Sequence, residues 1–154
     1  MEFKTCSFLN DEEKLAVFEL WNNEYPEKLT FLSTQEFDQY LNNLCHQSHL
    51  LLLNNDKKPI GWYVDFIRED EKWFAIILDS KFQGKRLGTQ ILDRAKEMES
   101  ELNGWVIDHD SDKKRNGKPY TSPLNFYLKN GFKQLPDNRL ELHNKSAVKI
   151  QWKK

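Results

Sequence analysis

The chain has 154 residues, and its 23 Lys and Arg against 24 Asp and Glu leave a formal net charge of -1. That length suits one ordinary domain with a real core, so residues 1–154 are read as a single domain. Hydrophobic residues at 38%, with 10 Phe, 5 Tyr and 5 Trp, exclude a disordered chain, and the balanced charge lacks the basic excess of a protein that lives on bulk nucleic acid.

No apolar run approaches the ~20 residues that span a bilayer. The opening MEFKTCSFLNDEEK lacks the basic-then-apolar order of a signal peptide. Cys6 and Cys45 have neither CxxC spacing nor a His partner at zinc-finger intervals, and His46, His49 and His143 have no second ligand at metal spacing. The expectation is a cytoplasmic protein with reduced thiols, no metal and no membrane partner.

In chain order, residues 2–8 read as a first strand. Asn10 caps a helix, with Glu13 three residues on and acids at Asp11 and Glu12. Pro26 ends that helical region. Ser33 and Glu36 repeat the capping pattern before Phe37, Tyr40, Leu41 and Leu44, one face of a second helix. Residues 49–53, 59–68 and 73–79 form an antiparallel meander apolar on both faces, which calls for covering helices.

A loop from Ser80 to Lys85 leads into a long helix whose apolar stripe is Leu87, Ile91, Ala95, Met98 and Leu102, with Gly104 at its end. Residues 105–107 are then a short strand running into Asp108-His109-Asp110. Residues 111–119, SDKKRNGKP, are a basic loop. Ser122 and Pro123 start a helix that stops at Gly131. Two strands close the chain, near 131–135 and 146–152. The order β-α-α-β-β-β-α-β-α-β-β is an α/β chain with a mixed sheet.

Two segments carry chemistry. In Phe82-Gln83-Gly84-Lys85-Arg86-Leu87-Gly88-Thr89 a strand passes into a helix. The first N–H groups of a helix have no internal partner and sit at its positive end. Glycines let a bulky anion approach them, and a pyrophosphate is the natural occupant. A glycine pair there is also compatible with a simple tight turn. The second segment is Ser122 to Phe132, SPLNFYLKNGF.

Together these segments resemble the GNAT family of N-acetyltransferases. The first matches its acetyl-CoA loop, Q/R-x-x-G-x-G/A, and the second its F-Y-x-K-x-G-F signature. The element order matches as well, over essentially the whole chain. The resemblance implies an α/β fold: a mixed, mostly antiparallel sheet of about seven strands with about four helices, splayed open between the fourth and fifth strands. Acetyl-CoA, a co-substrate, would lie in that opening. Its pyrophosphate would meet Gln83, Gly84, Lys85, Arg86, Leu87, Gly88 and Thr89, and its pantetheine arm would follow Ile77, Leu78 and Asp79. Asn125 and Tyr127 complete the cofactor contacts. Tyr127 matches the family's general acid, which protonates the departing CoA thiolate; the bland alternative is a core aromatic beside Phe126.

The chain departs from the family pattern in places. Arg86 replaces a glycine, and a normal helical conformation is expected there. Ser80 replaces a proline. Tyr120 and Pro123 replace an asparagine and an alanine, which puts one polar cofactor contact in doubt. The fourth strand, FAIIL at 74–78, lacks the family's glutamate base. The remaining base candidates are Asp79, Asp108 and His109, with Asp65 a weaker one; Asp108-His109-Asp110 is equally readable as a solvated loop start. Lys113, Lys114, Arg115 and Lys118 are either solvated or reach an acidic group of cofactor or acceptor. The implied function is direct transfer of acetyl to an amine in a ternary complex. The acceptor is a small molecule or peptide, and the protein a monomer or homodimer. A non-catalytic acyl-CoA-binding module with the same fold is the alternative.

Overall fold

The computed structural model describes residues 1–154. Strands β1 (Glu2–Cys6), β2 (Cys45–Leu53), β3 (Pro59–Arg68), β4 (Glu71–Leu78), β5 (Glu101–Ile107), β6 (Lys133–Leu142) and β7 (Lys145–Lys153) form one sheet in the order β1-β2-β3-β4-β5-β7-β6. Helices α1 (Asp11–Glu24) and α2 (Thr34–Asn42) cover one face, and α3 (Leu87–Met98) and α4 (Leu124–Lys129) the other. This is the α/β architecture expected from the sequence, with β4 parallel to β5 and every other pairing antiparallel.

The alternation of strand side chains builds two cores. Leu51, Leu53, Trp62, Val64, Trp73 and Ile77 turn toward Val17, Leu20, Phe37 and Leu41 of α1 and α2. Leu50, Leu52, Tyr63, Phe74, Leu102 and Val106 turn toward Ile91, Leu92 and Ala95 of α3 and Tyr127 of α4. Asn10 closes a complete capping box with Glu13, whereas Ser33 only accepts from the Glu36 N–H and the Glu36 side chain turns to Leu32. No helix is long and apolar enough to cross a membrane.

Between β4 and β5 the ladder has one rung, Trp73 opposite Asn103. Asn103 is fully buried there; its amide donates to the Lys72 carbonyl at 3.1 Å and its oxygen accepts from Gln151 at 2.9 Å. Beyond that rung the strands diverge, and the splay opens toward Leu78 and Ile107.

Several boundaries differ from the sequence reading. The long helix stops at Met98, which is 82% exposed, and Leu102 and Gly104 belong to β5. Leu102 suits either period, since it lands on the same core as a strand residue. Gly104 does not stop a helix: a Cβ there would lie 2.9 Å from the Phe74 ring, so the glycine permits close approach of β5 to β4. Strand β2 begins at Cys45, ahead of an irregularity at His46, whose φ is 54°. Strand β6 runs on to Leu142 past a bulge between Leu135 and Arg139.

Candidate active site

The start of α3 is built to leave donors free. Asp79 caps a 3-10 turn over Ser80–Phe82 by accepting from the Lys81 N–H at 2.9 Å. Gly84 then takes φ +80° and Arg86 φ +63°, while Lys85 between them stays at negative φ. Alternation of this kind turns successive N–H groups toward one point, an anion-binding nest. None of the main-chain N–H groups from Gly84 through Thr89 donates to another group of the chain, and no side chain caps the helix. The expectation of a normal helical conformation at Arg86 is therefore corrected. Arg86 keeps the left-handed backbone that a glycine would adopt, at a cost of roughly 1–2 kcal/mol. Its side chain, like those of Gln83 and Lys85, is exposed. Gln83 donates to the Leu78 carbonyl at 3.1 Å, and Lys85 lies 5.6 Å over the Phe82 ring.

Gly88 plays a different part. A Cβ there would come within 3.0 Å of the Phe126 ring, so its missing side chain lets α4 close onto α3. That contact sets Tyr127 beneath the opening. The Tyr127 ring packs 5.8 Å from Phe74 and 5.6 Å from Phe132. Its hydroxyl has no hydrogen-bond partner in the chain and is not sealed from solvent. Burial, with Tyr120 nearby, pushes the phenol well above its ordinary range, so it holds its proton at neutral pH. Asn125, on the same helix, is exposed.

The base candidates are not equivalent. Asp108 accepts two bonds from Arg139, at 2.8 and 3.1 Å, and that guanidinium holds its carboxyl below the usual range. It is a structural anion and not a proton acceptor poised near neutral pH. His109 Nδ1 accepts from the Ser111 N–H at 3.1 Å, which puts the ring proton of the neutral imidazole on Nε2, 3.9 Å from Asp112. Neither nitrogen is left with a free lone pair. Asp65 lies away from the opening, opposite Phe74, bonded by the Tyr63 hydroxyl at 2.8 Å. Asp79 spends one oxygen on Lys81 and turns to a cleft of about 430 Å³ lined by Leu20, Asn23, Glu24 and Arg115 among others.

Two site residues, Tyr25 and Glu24, escaped the sequence reading, and Tyr120 entered it only as the replacement of an asparagine. Tyr25, at the end of α1, packs 6.5 Å from Tyr120, and neither hydroxyl has a partner in the chain. Burial raises both phenols above their ordinary range. Glu24 accepts from the Ser80 N–H at 2.9 Å and from Lys114 at 3.0 Å. A signal for Glu24 was available: an acid in the last turn of a helix opposes its dipole and asks for a tertiary partner. Tyr25 carried none, because it sits on no periodic face.

The basic loop is engaged in part, since the Lys113 and Lys118 ammonium groups form no ion pair while its other two cations are held. Lys114 pairs with Glu24, Arg115 bonds Asn23 at 2.6 Å, and the Lys113 carbonyl accepts from the Glu27 N–H at 2.8 Å. Lys28 reaches back to Asp112 at 2.8 Å. Residues 108–123 thus form a strap across the end of α1.

The chain matches the model of the acetyltransferase (GNAT) domain over residues 46–134. It belongs to the GNAT acetyltransferase family. Among solved structures it resembles aminoglycoside 6'-acetyltransferase type Ii (15% identity, TM-score 0.72, covering 99% of this chain and 97% of that one). It also resembles Escherichia coli ElaA (15%, 0.71, 99% and 100%). A third likeness is to a variant of spermidine N-acetyltransferase SpeG from Vibrio cholerae (16%, 0.66, 99% and 95%). Identities of this size carry the fold and not the substrate. No protein of curated function matches the sequence.

Proposed function

We propose that this chain, as one domain over residues 1–154, is an acetyl-CoA-dependent N-acetyltransferase that passes acetyl to an amine by direct transfer in a ternary complex. One observation carries the reading: the unbonded N–H run from Gly84 to Thr89, at the mouth of a splayed sheet with the free Tyr127 hydroxyl inside. The pyrophosphate of CoA takes those N–H groups, with Lys85 and Arg86 adding charge. The pantetheine arm follows Ile77, Leu78 and Asp79 along the edge of β4 that β5 leaves unpaired. A main-chain N–H of that edge meets the thioester oxygen as it becomes an oxyanion. Asn125, exposed at the start of α4, remains the outermost cofactor contact.

In the transfer, the neutral amine attacks the thioester carbonyl carbon and the C–S bond breaks. Tyr127 gives its proton to the leaving thiolate. The proton lost by the amine passes through water to Asp79, the one base candidate with a free oxygen on a cleft. Asp108 and His109 hold the end of β5 in place, the first through Arg139 and the second through Ser111. Cys6, on the far edge strand, and Cys45, at the start of β2, offer no nucleophile at the opening.

Isothermal titration with acetyl-CoA and with desulfo-CoA tests the cofactor site. Micromolar binding to both is expected, followed by release of free thiol when a panel of primary amines is supplied. Absence of binding to either would sink the reading. Binding without thiol release from any amine would favour a non-catalytic acyl-CoA-binding module, which the engagement of Asp108 and His109 supports.

A further inference from the structure

The cleft beside Asp79 has a chemistry that acetyl transfer by itself does not require. It encloses about 430 Å³ between the end of α1, the turn that follows β4 and the tip of the strap. That volume is within the range of small-molecule sites. The cleft borders α1, which packs on one face of the sheet, whereas α3 packs on the other. Asp79, the proton acceptor of the transfer described above, forms part of its wall. A molecule seated in the cleft therefore reaches the group that must take the amine proton.

Of the eight lining residues only Leu20 is apolar, and none is aromatic. Hydrogen bonds fix the walls. Arg115 Nη2 donates to the Asn23 side-chain oxygen at 2.6 Å, the Asn116 side-chain oxygen accepts from the Lys118 N–H at 3.0 Å, and Glu24 accepts from the Ser80 N–H at 2.9 Å. What those bonds leave over is mixed in kind. The amide nitrogens of Asn23 and Asn116, Nε and Nη1 of Arg115, the Lys81 ammonium and the Ser80 hydroxyl make no bond within the chain, and neither does the second Asp79 oxygen. Formal charge is balanced, with Lys81 and Arg115 set against Glu24 and Asp79.

Each feature narrows the occupant. A balanced charge offers no excess to a polyanion or a polycation. Walls without an aromatic ring offer no stacking face to an aryl amine, and one leucine is little cover for an alkyl chain. A hydroxyl both donates and accepts, so a row of hydroxyls answers a wall of amide, guanidinium, hydroxyl and carboxylate groups. We propose that the acetyl acceptor is a hydroxyl-rich primary amine of the amino-sugar class. Its amine lies toward Asp79, and its hydroxyls meet Asn23, Arg115 and Asn116. Walls already fixed by their own bonds cost little ordering when such a ligand binds. The inference rests on the acetyltransferase reading, and its test is arranged to fail separately.

The test compares 1-amino-1-deoxyglucitol with n-hexylamine, linear primary amines of the same carbon count that differ in their hydroxyls, at equal concentrations of the neutral amine. The hydroxylated amine is expected to be acetylated with kcat/KM about 10-fold or more above n-hexylamine. Arg115→Met and Asn116→Ala should each raise its KM about 10-fold and leave kcat, the n-hexylamine rate and acetyl-CoA affinity unchanged. Equal or better use of n-hexylamine, or an unchanged KM in both variants, overturns the proposal. So does a protein that binds acetyl-CoA and does not acetylate the hydroxylated amine. A second measurement needs no turnover: saturation-transfer NMR of glucosamine with the protein loaded with desulfo-CoA. Transfer to the sugar ring protons that Arg115→Met weakens is expected, and no transfer in the unsubstituted protein overturns the proposal. Failure of the acetyltransferase reading shows instead as failure to bind acetyl-CoA.

Discussion

Two loops flank the same opening and are built on opposite plans. The segment 84–89 keeps its main-chain donors unbonded and accepts left-handed backbone at Arg86. The segment 108–123 is tied down by side-chain bonds, through Arg139–Asp108, Lys28–Asp112, Lys114–Glu24 and the Ser122 hydroxyl, which donates to the Ile107 carbonyl at 2.6 Å, and leaves one Asp112 oxygen buried without a partner. Unspent hydrogen-bonding capacity is where a ligand gains most. Spent capacity is where a scaffold gains rigidity. The difference sets a wall with free main-chain donors against a wall that holds shape, even though the second carries four Lys and Arg to the first's two.

The largest expected effect should strike both walls alike, through the sheet beneath them. His49 is 1% exposed; its Nδ1 accepts from Trp62 at 3.0 Å and its Nε2–H donates to Gln47 at 2.8 Å. Burial lowers its pKa to about 4, with Glu13 opposing. The unfolded chain binds that proton near its ordinary value of about 6.5. Stability is therefore full above that pH and falls by about 3 kcal/mol as pH drops toward 4. Denaturant midpoints at neutral pH and at the acid end, compared between the protein and His49→Gln, isolate this slope from that of the carboxylates. Parallel slopes in the two proteins would refute it.

Next in size, Tyr127→Phe should lower kcat about 100-fold and leave acetyl-CoA affinity intact, because the lost hydroxyl has no bond in the chain. A matched loss of affinity would make Tyr127 a packing residue of the binding wall. Glu24→Gln strikes the strap. It leaves Lys114 without its counter-charge and should cost about 2 kcal/mol by thermal unfolding, with acetyl-CoA affinity unchanged. A shift in that affinity would show the two walls to be coupled. The smallest effect is expected of Arg86→Gly, which relieves the left-handed backbone and should change stability by under about 1 kcal/mol. Its acetyl-CoA affinity should stay within about 10-fold of the parent, since backbone donors carry the anion.

Local chemistry made most of the fold legible. Asn10 with Glu13, the meander of residues 49–79 and the helix ending at Gly131 all follow from patterns a few residues long. What failed depends on neighbours distant in sequence. Gly104 reads as a helix stop until Phe74 is set against it, and Arg86 reads as helical until the unbonded run around it is seen. The loop and Tyr127 could be singled out as candidates because their motifs are contiguous. The discrimination among Asp79, Asp108 and His109 was not, because it turns on Arg139, Lys81 and the Ser111 N–H. The pairing of Tyr25 with Tyr120 stayed hidden for the same reason, being made only by the strap.

The single rung between β4 and β5 has a mechanical meaning. Backbone hydrogen bonds fasten β1 to β4 into one plate and β5, β7 and β6 into another, but Trp73 opposite Asn103 is all the ladder that joins the plates. Side chains do the rest of the joining: Phe74 of one plate is wedged against Tyr127 and Phe132 that ride on the other, Lys149 of β7 pairs with Glu71 of β4, and the Asn103 amide reaches the Lys72 carbonyl. The sheet is two plates clasped by one rung, one ion pair, one amide and a cluster of rings.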